Sequence, residues 1–165
     1  MKTEKDISIF LVDDDKIFTH SMEHHLQHKL APEVKIETFS TGEECLKNLN
    51  KHPDIIVLDH FLNSSRSDAI DGAEVLRKIK LAEPETTAIM LSGLGKIEIA
   101  VNSMKNGAFA YVIKNDKVFL KITSTIKSVI EKITNEKYEK STRIMLGIFA
   151  LSIILGIAVL ATKWI

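Results

Sequence analysis

The sequence has very little cysteine, few prolines and no excess of charge of either sign. Its one cysteine, Cys45, excludes an intramolecular disulfide and a cysteine-based zinc site, so the fold must be stabilised by burial. Lys and Arg number 22, as do Asp and Glu, and this balance lacks the basic excess of nucleic-acid-binding proteins. We therefore expect no nucleic-acid partner. A length of 165 residues has room for one ordinary domain and a small appendage, which argues against a multidomain enzyme.

The longest apolar stretch lies at the C-terminal end of the sequence. Residues 144–162 read IMLGIFALSIILGIAVLAT and include no charged side chain. As an α-helix this stretch is about 28 Å long, close to the ~30 Å hydrocarbon core of a bilayer. Because it is apolar on every face, we predict a single-pass transmembrane helix rather than a buried core helix. Within it, Ser152 and Gly156 have the small-xxx-small spacing that lets two helices approach, which leaves a homodimer open.

The flanks of this stretch predict its orientation. The first residues of the chain return to charged side chains too soon for a secretory signal, so we expect the soluble part to stay in the cytoplasm. Basic residues are more numerous just before the span than after it, in agreement with the positive-inside tendency. The predicted organisation is a soluble domain over 1–133, a polar juxtamembrane stalk over 134–143, the span over 144–162 and a short tail over 163–165.

Short apolar runs alternate with helical patterns along the soluble part. The predicted strands are 7–12, 34–39, 54–59, 87–91 and 109–113. The predicted helices lie near 16–30, 42–51, 72–82 and 96–106, and a fifth begins near 116 and runs toward the tail. Four of the strands are almost continuously apolar, as buried parallel strands are. The alternation predicts an α/β fold with a doubly wound parallel sheet.

The first predicted helix has an apolar face and a histidine-rich face. The apolar face, expected to pack on the core, carries Phe18, Met22 and Leu26. The opposite face carries His20, His24 and His28. A spacing of four residues also suits a transition-metal site, but we prefer a solvated or partner-facing surface.

Acidic, hydroxyl and basic residues follow the predicted strands at the ends where open α/β sheets form sites. These residues are Asp13, Asp14, Asp15, Asp59, Ser92 and Lys114. Crowded carboxylates repel one another unless a hard divalent cation neutralises them, and oxygen ligands suit Mg²⁺. With Mg²⁺ bound, Asp59 can attack phosphorus while Lys114 and Ser92 contact the transferred oxygens. For any one of these residues alone, helix capping is the alternative role.

Five motifs occur in an order that resembles a known family. They are IFLVDDD, IIVLD, DGAEVLRKIK, IMLSG and NGAFAYVIK, spread over residues 6–130. Together they resemble the receiver domains of two-component response regulators. The resemblance implies a flavodoxin-like five-stranded parallel sheet in the order 2-1-3-4-5, an order that is known for receivers.

The resemblance also implies a metal site and a phosphoacceptor. Asp13 and Asp14 match the acidic pair, with Asp14 the direct Mg²⁺ ligand and Asp13 acting through water. Asp59 matches the phosphoacceptor and a further Mg²⁺ ligand, and the backbone carbonyl of Phe61 completes the set.

The remaining matches concern the phosphoryl group and the conformational switch. Ser92 and Lys114 match the hydroxyl and the cation that hold the phosphoryl group. Tyr111 matches the aromatic residue that turns inward when the hydroxyl of Ser92 moves toward phosphate. The implied partner is a sensor histidine kinase or a phosphotransfer protein.

The sequence departs from the family pattern in three places. Asp71 and Gly72 come later after the acceptor than usual, so the loop over 60–71 is extended and lacks proline. Asn115 stands where a proline normally follows the lysine. Phe61 and Leu94, two residues after the acceptor and the hydroxyl, are apolar and unable to orient a hydrolytic water.

We therefore expect a membrane-tethered, single-domain response regulator that accepts a phosphoryl group on Asp59, loses it slowly and signals by protein contact. One alternative is a receiver-like membrane scaffold that works without phosphorylation, which the long loop and Asn115 favour. Another is an aspartate-nucleophile phosphohydrolase, for which Asp13 and Asp15 would be the paired acids.

Overall fold

The structure, a computed structural model, describes the backbone of residues 7–62 and 70–162, and side chains in these ranges up to Ile153. Its strands are β1 (Ile7–Val12), β2 (Val34–Phe39), β3 (Ile55–Asp59), β4 (Thr87–Ser92) and β5 (Ala110–Ile113). Its α-helices are α1 (Lys16–Lys29), α2 (Gly42–Lys47), α3 (Gly72–Ala82), α4 (Ile97–Lys105) and α5 (Val118–Thr162). A short 3₁₀-helix spans Leu49–Lys51. All five predicted strands and all five predicted helices are present.

The strands form one parallel sheet in the order β2-β1-β3-β4-β5. This confirms the predicted doubly wound fold and its 2-1-3-4-5 order. Val12 pairs with Leu58, and Asp59 pairs with Leu91. The carboxyl ends of these strands therefore stand nearly level at one edge of the sheet.

The sheet buries its central strands most completely. Every residue of β3 is buried, as is all of β1 except Ser8, whereas the edge strands β2 and β5 are mostly half-buried. This agrees with the continuous apolar sequences of the central strands, since helices cover both faces of a parallel sheet. Cys45 is fully buried, and burial raises the pKa of its thiol to about 12. A thiol in that state packs as a small apolar group.

Side-chain caps start three of the helices. The carboxylate of Asp15 accepts from the backbone N–H groups of Ile17 and Phe18, each at 3.0 Å, at the start of α1. Thr41 accepts from Glu44 N–H at 3.1 Å, and Asp71 accepts from Glu74 N–H at 2.8 Å. Each cap satisfies a donor that would otherwise lack an intrahelical partner.

The two predicted faces of α1 are present. Met22 and Leu26 are buried, Phe18 is half-buried, and His20, His24 and His28 are exposed. The predicted solvated face is thus confirmed. The residue beside it, His25, is half-buried and lies within 3.1 Å of the Thr123 hydroxyl of α5.

The chain divides into two compact units, Met1–Lys127 and Ser128–Ile165. Residues 134–143 are helical and exposed. Where the structure describes side chains, it contains no helix apolar and long enough to cross a membrane. The predicted span at 144–162 is therefore not supported; its side chains from 154 onward, and the tail at 163–165, lie outside that description.

Candidate functional site

Four chemically active residues meet at the carboxyl edge of the sheet. Asp13 directly follows β1, Asp59 ends β3, Ser92 ends β4, and Lys114 directly follows β5. Because these parallel strands are neighbours in the sheet, their carboxyl ends bring residues far apart in the sequence to one rim. The sequence prediction that these positions share an edge is confirmed.

The ammonium of Lys114 lies between two buried carboxylates. Its Nζ is 2.6 Å from Asp13 Oδ2 and 3.0 Å from Asp59 Oδ2. The side chains of Asp13 and Asp59 are only 3% and 5% exposed. Burial alone would lower the pKa of Lys114, but its hydrogen bonds and attraction to the two acids outweigh burial and raise that pKa. The ammonium is therefore charged throughout the physiological range.

Three carboxylates come close enough to share one cation. One oxygen each of Asp13, Asp14 and Asp59 lies within 4.8 Å of the others. Asp59 Oδ1 is buried without a hydrogen-bond partner among the described residues, and such an atom is costly unless a ligand satisfies it. Carboxylate oxygens are the ligands that Mg²⁺ prefers. The residues present therefore fit a divalent cation, as the sequence predicts.

The buried environment of Asp13 shifts the pKa of its carboxyl group. Burial is the main cause, and the neighbouring Asp59 charge adds to it; together they outweigh Lys114 and raise the pKa of Asp13 from 3.8 to about 6. Asp13 Oδ1 also accepts from Asp15 N–H at 3.0 Å, which fixes the carboxylate at the strand end.

We expect removal of the Asp13 charge to stabilise the metal-free protein above about pH 6. Between pH 3.8 and about 6 the unfolded chain has lost the Asp13 proton and the folded chain keeps it, so stability falls as pH rises. Over the whole of this pH interval, the free energy of unfolding falls by about 3 kcal/mol. Asp13→Asn should therefore raise the free energy of unfolding by up to about 3 kcal/mol at about pH 8 in EDTA, and by almost nothing at about pH 3.5.

Denaturant unfolding at both pH values measures this difference. The matched control is Asp116→Asn at an exposed acid outside the carboxylate cluster, which should change stability by under about 0.5 kcal/mol. An Asp13→Asn chain no more stable than wild type at the higher pH would show that burial does not penalise this charge.

Ser92 and Tyr111 share one backbone acceptor. The Ser92 hydroxyl, which is buried, donates to the Leu94 carbonyl at 3.1 Å and accepts from Leu94 N–H at 3.2 Å. The Tyr111 hydroxyl donates to the same carbonyl at 2.6 Å. In this structure both hydroxyls are therefore directed to the loop after β4, and neither has a hydrogen bond to the carboxylates among the described contacts. The two predicted switch residues are linked through Leu94, which sequence alone does not reveal.

The loop after Asp59 is held close to the start of α3. His60 N–H donates to the Leu91 carbonyl at 2.8 Å, and Gly72 N–H donates to the His60 carbonyl at 3.0 Å. A Cβ atom at Gly72 would lie only 2.1 Å from the Asp59 carbonyl oxygen. Only glycine lets α3 approach the acceptor so closely. Residues 63–69 of the extended loop lie outside the described part of the chain.

Two apolar side chains flank this rim at the positions noted in the sequence. Phe61 is 39% exposed with its ring against His60, and Leu94 is 45% exposed. Neither side chain has a polar group for a water molecule. The part of Phe61 predicted to bind metal is its backbone carbonyl, and that role stays a prediction.

Asn115 takes a structural role in place of the expected proline. Its side-chain oxygen accepts from Lys117 N–H at 3.0 Å, and its carbonyl accepts from Val118 N–H at 2.8 Å, so it forms the turn that leads into α5. Lys114 nevertheless reaches both acids. The departure from the family pattern therefore does not prevent Lys114 from facing the carboxylates.

Comparison with known proteins agrees with this geometry. The sequence pattern of the response regulator receiver domain matches residues 9–123. An NtrX-like response regulator of Rickettsia conorii is 30% identical over 148 residues, which cover 84% of this chain and 28% of that protein. The chain thus spans little more than a quarter of the length of that relative.

Solved structures show the same fold. A CheY-like receiver domain from Methanospirillum hungatei JF-1 is 25% identical, with a TM-score of 0.69 over 79% of this chain and 98% of that one. The response regulator DrrB of Thermotoga maritima is 29% identical, with a TM-score of 0.63 over 77% of this chain and 54% of that one.

Proposed function

Because the chain belongs to the response regulator receiver domain family, whose members act as phosphoacceptors, we propose that Asp59 is its phosphoacceptor. The observation that carries the proposal is the ammonium of Lys114 held between the buried carboxylates of Asp13 and Asp59, with one Asp59 oxygen left without a partner. The test is the gain of one phosphate by the full chain from a small phosphodonor in Mg²⁺, and its loss on substitution of Asp59.

The proposed chemistry is transfer of a phosphoryl group from a phosphohistidine of a kinase or phosphotransfer protein. An Asp59 oxygen bonds to phosphorus, the phosphorus–nitrogen bond breaks, and its electron pair stays on the imidazole, which then takes a proton. Receiver domains bind Mg²⁺ at an acidic pocket, and here Asp13, Asp14 and Asp59 would hold it with the Phe61 carbonyl. When bound, the ion would neutralise part of the negative charge of the phosphoryl group. Lys114 supplies a second positive charge to the same oxygens.

The switch in this proposal begins at Ser92. To contact the phosphoryl oxygens its hydroxyl has to leave the Leu94 carbonyl, which it shares with Tyr111. The shared acceptor supports a coupled movement of the two side chains, with Tyr111 turning inward as Ser92 turns toward phosphate. Tyr111 is half-buried, so its exposure would report the change.

The proposed route of output is an exposed apolar face of α4. A face of α4 presents Ile97, Val101 and Met104, which are 80%, 46% and 48% exposed. Together with β5 and the first part of α5, this face is suited to signalling by contact with another protein.

A phosphorylated chain is expected to keep its phosphate for minutes or longer without a phosphatase. The positions two residues after Asp59 and Ser92 are occupied by Phe61 and Leu94, whose exposed side chains cannot hydrogen-bond a hydrolytic water. Decay of the phosphorylated full chain in Mg²⁺, followed by intact mass, measures the half-life. Phe61→Asn, which adds an amide that can orient water, should shorten it, while Phe61→Leu should not. A wild-type half-life of seconds would contradict this expectation.

Membrane attachment through residues 144–162 is a further part of the proposal, with the receiver domain in the cytoplasm. Its support is the absence of charge from this stretch of sequence. In fractionated cells, the full chain should remain with membranes after an alkaline carbonate wash and dissolve in detergent. Leu151→Lys, which places a charge in the stretch, should release part of it. Recovery of the wild-type chain in the soluble fraction would rule the tether out.

A further inference from the structure

The ammonium of Lys114 has a third neighbour besides its two carboxylates. It lies 4.9 Å from the ring centroid of Phe18, on α1. This is within the range in which a cation is attracted to the face of an aromatic ring. The ring and the two carboxylates thus contact the same charged group.

The hydrogen bonds of the main chain around Lys114 do not by themselves fix the direction of its long side chain. Lys114 N–H donates to the Ser92 carbonyl, and the side-chain oxygen and carbonyl of Asn115 accept from the N–H groups of Lys117 and Val118, so these bonds hold the main chain and not the lysine side chain. The lysine side chain is a flexible four-carbon stem with many rotamers. A side chain of this kind reaches a single position only if its neighbours limit its freedom.

The Phe18 ring is itself held in place by α5. Its ring and that of Phe119 meet edge to face, with centroids 5.6 Å apart. Phe119 also packs against His25 at 5.3 Å, and His25 Nε2 lies 3.1 Å from the Thr123 hydroxyl. Phe18 is therefore fixed between Lys114 and a row of side chains that joins α1 to α5.

We propose that Phe18 is a positioning residue, which aims the Lys114 ammonium at Asp59 through a cation–π contact and so speeds phosphorylation. The inference rests on the proposed function of Asp59. It assigns to an aromatic side chain of α1 a restraint on the lysine side chain that the main-chain hydrogen bonds around Lys114 do not supply.

The test compares Phe18→Leu, which keeps an apolar side chain but loses the ring, with Phe18→Tyr, which keeps the ring. The ring current of Phe18 should shift the ε-CH₂ protons of Lys114 upfield in NMR spectra of the full chain in detergent micelles, assigned by their loss in Lys114→Ala. Phe18→Leu should abolish that shift and slow phosphorylation by acetyl phosphate about twofold to fivefold. Phe18→Tyr should restore both.

A matched control separates positioning from packing. Phe119→Leu keeps the ring that faces Lys114 and leaves an apolar side chain packed behind it, so its phosphorylation rate should fall by less than that of Phe18→Leu. Phe18→Met, with an unbranched apolar side chain, replaces Phe18→Leu if the latter does not give a dispersed spectrum.

The proposal is overturned if wild-type Lys114 shows no upfield shift, if Phe18→Leu loses the shift but phosphorylates at the wild-type rate, or if Phe18→Tyr is as slow as Phe18→Leu. Failure of the proposed function gives a different pattern, because a chain that is never phosphorylated would still show the Lys114 shift and its loss in Phe18→Leu.

Discussion

An Asp59→Asn chain is expected to gain no phosphate from acetyl phosphate in Mg²⁺, whereas the wild-type chain gains one. The amide of asparagine cannot form an acyl phosphate, and the substitution keeps the size of a side chain that is only 5% exposed. Asp59 also forms an ion pair with Lys114, whose Nζ lies 3.0 Å from Asp59 Oδ2. Intact mass spectrometry of the full chain before and after incubation measures the gain directly.

The matched control is Asp54→Asn, one residue before the other end of β3. Asp54 Oδ2 accepts from Ser8 N–H at 2.8 Å, and an asparagine oxygen can keep that hydrogen bond. The Asp54→Asn chain should therefore still gain one phosphate. Phosphate on the Asp59→Asn chain would place the acceptor elsewhere, and no phosphate on any chain would favour the phosphorylation-independent scaffold.

The position of Asp15 argues against the third candidate, a phosphohydrolase. Its carboxylate accepts from two backbone N–H groups at the start of α1, so it is committed to capping the helix. A paired general acid would have to face the acceptor instead. Repeated turnover of a generic phosphoester by the wild-type chain would reverse this conclusion.

Gly72→Ala is expected to produce the largest loss of stability of the substitutions considered. Its Cβ would lie 2.1 Å from the Asp59 carbonyl oxygen and 2.7 Å from the His60 Cα, and both are main-chain atoms that cannot turn away. Relief requires α3 or the end of β3 to move. We expect the free energy of unfolding to fall by about 3 kcal/mol or more.

Denaturant unfolding of the full chain measures this loss, and Gly93→Ala provides the control. A Cβ at Gly93 would meet nothing within 4 Å, so that variant should unfold within about 1 kcal/mol of wild type. The phosphorylation rate of Gly72→Ala should fall as well, because Asp59 moves with the strand end. Equal stability of the two alanine variants would show that the close approach of α3 is not required.

Much of the fold follows from local patterns in the sequence. The strands at 7–12 and 34–39 are predicted to the residue, because uninterrupted apolar or alternating runs end at clear turn signals. The shared edge of Asp13, Asp59, Ser92 and Lys114 also follows, since position at a strand end is a property of order along the chain.

The parts that sequence does not predict depend on where side chains point. The spacing of apolar residues in α1 places Phe18 with the core-facing residues, but it does not place the ring against Lys114. Likewise, no local signal indicates that Ser92 and Tyr111 bind the carbonyl of Leu94. A signal for the turn at Asn115 did exist, because an asparagine side chain commonly accepts from the backbone N–H two residues on in a turn.

Because its one thiol, at Cys45, is buried, the native chain should react very slowly with alkylating reagents. With no exposure and a pKa near 12, this sulfur is neither accessible nor ionised at neutral pH while α2 stays packed. The rate at which this thiol is modified therefore measures how often the domain opens and exposes it. Fluorophores attached to cysteines introduced on α4 or at the rim would then report on those sites alone.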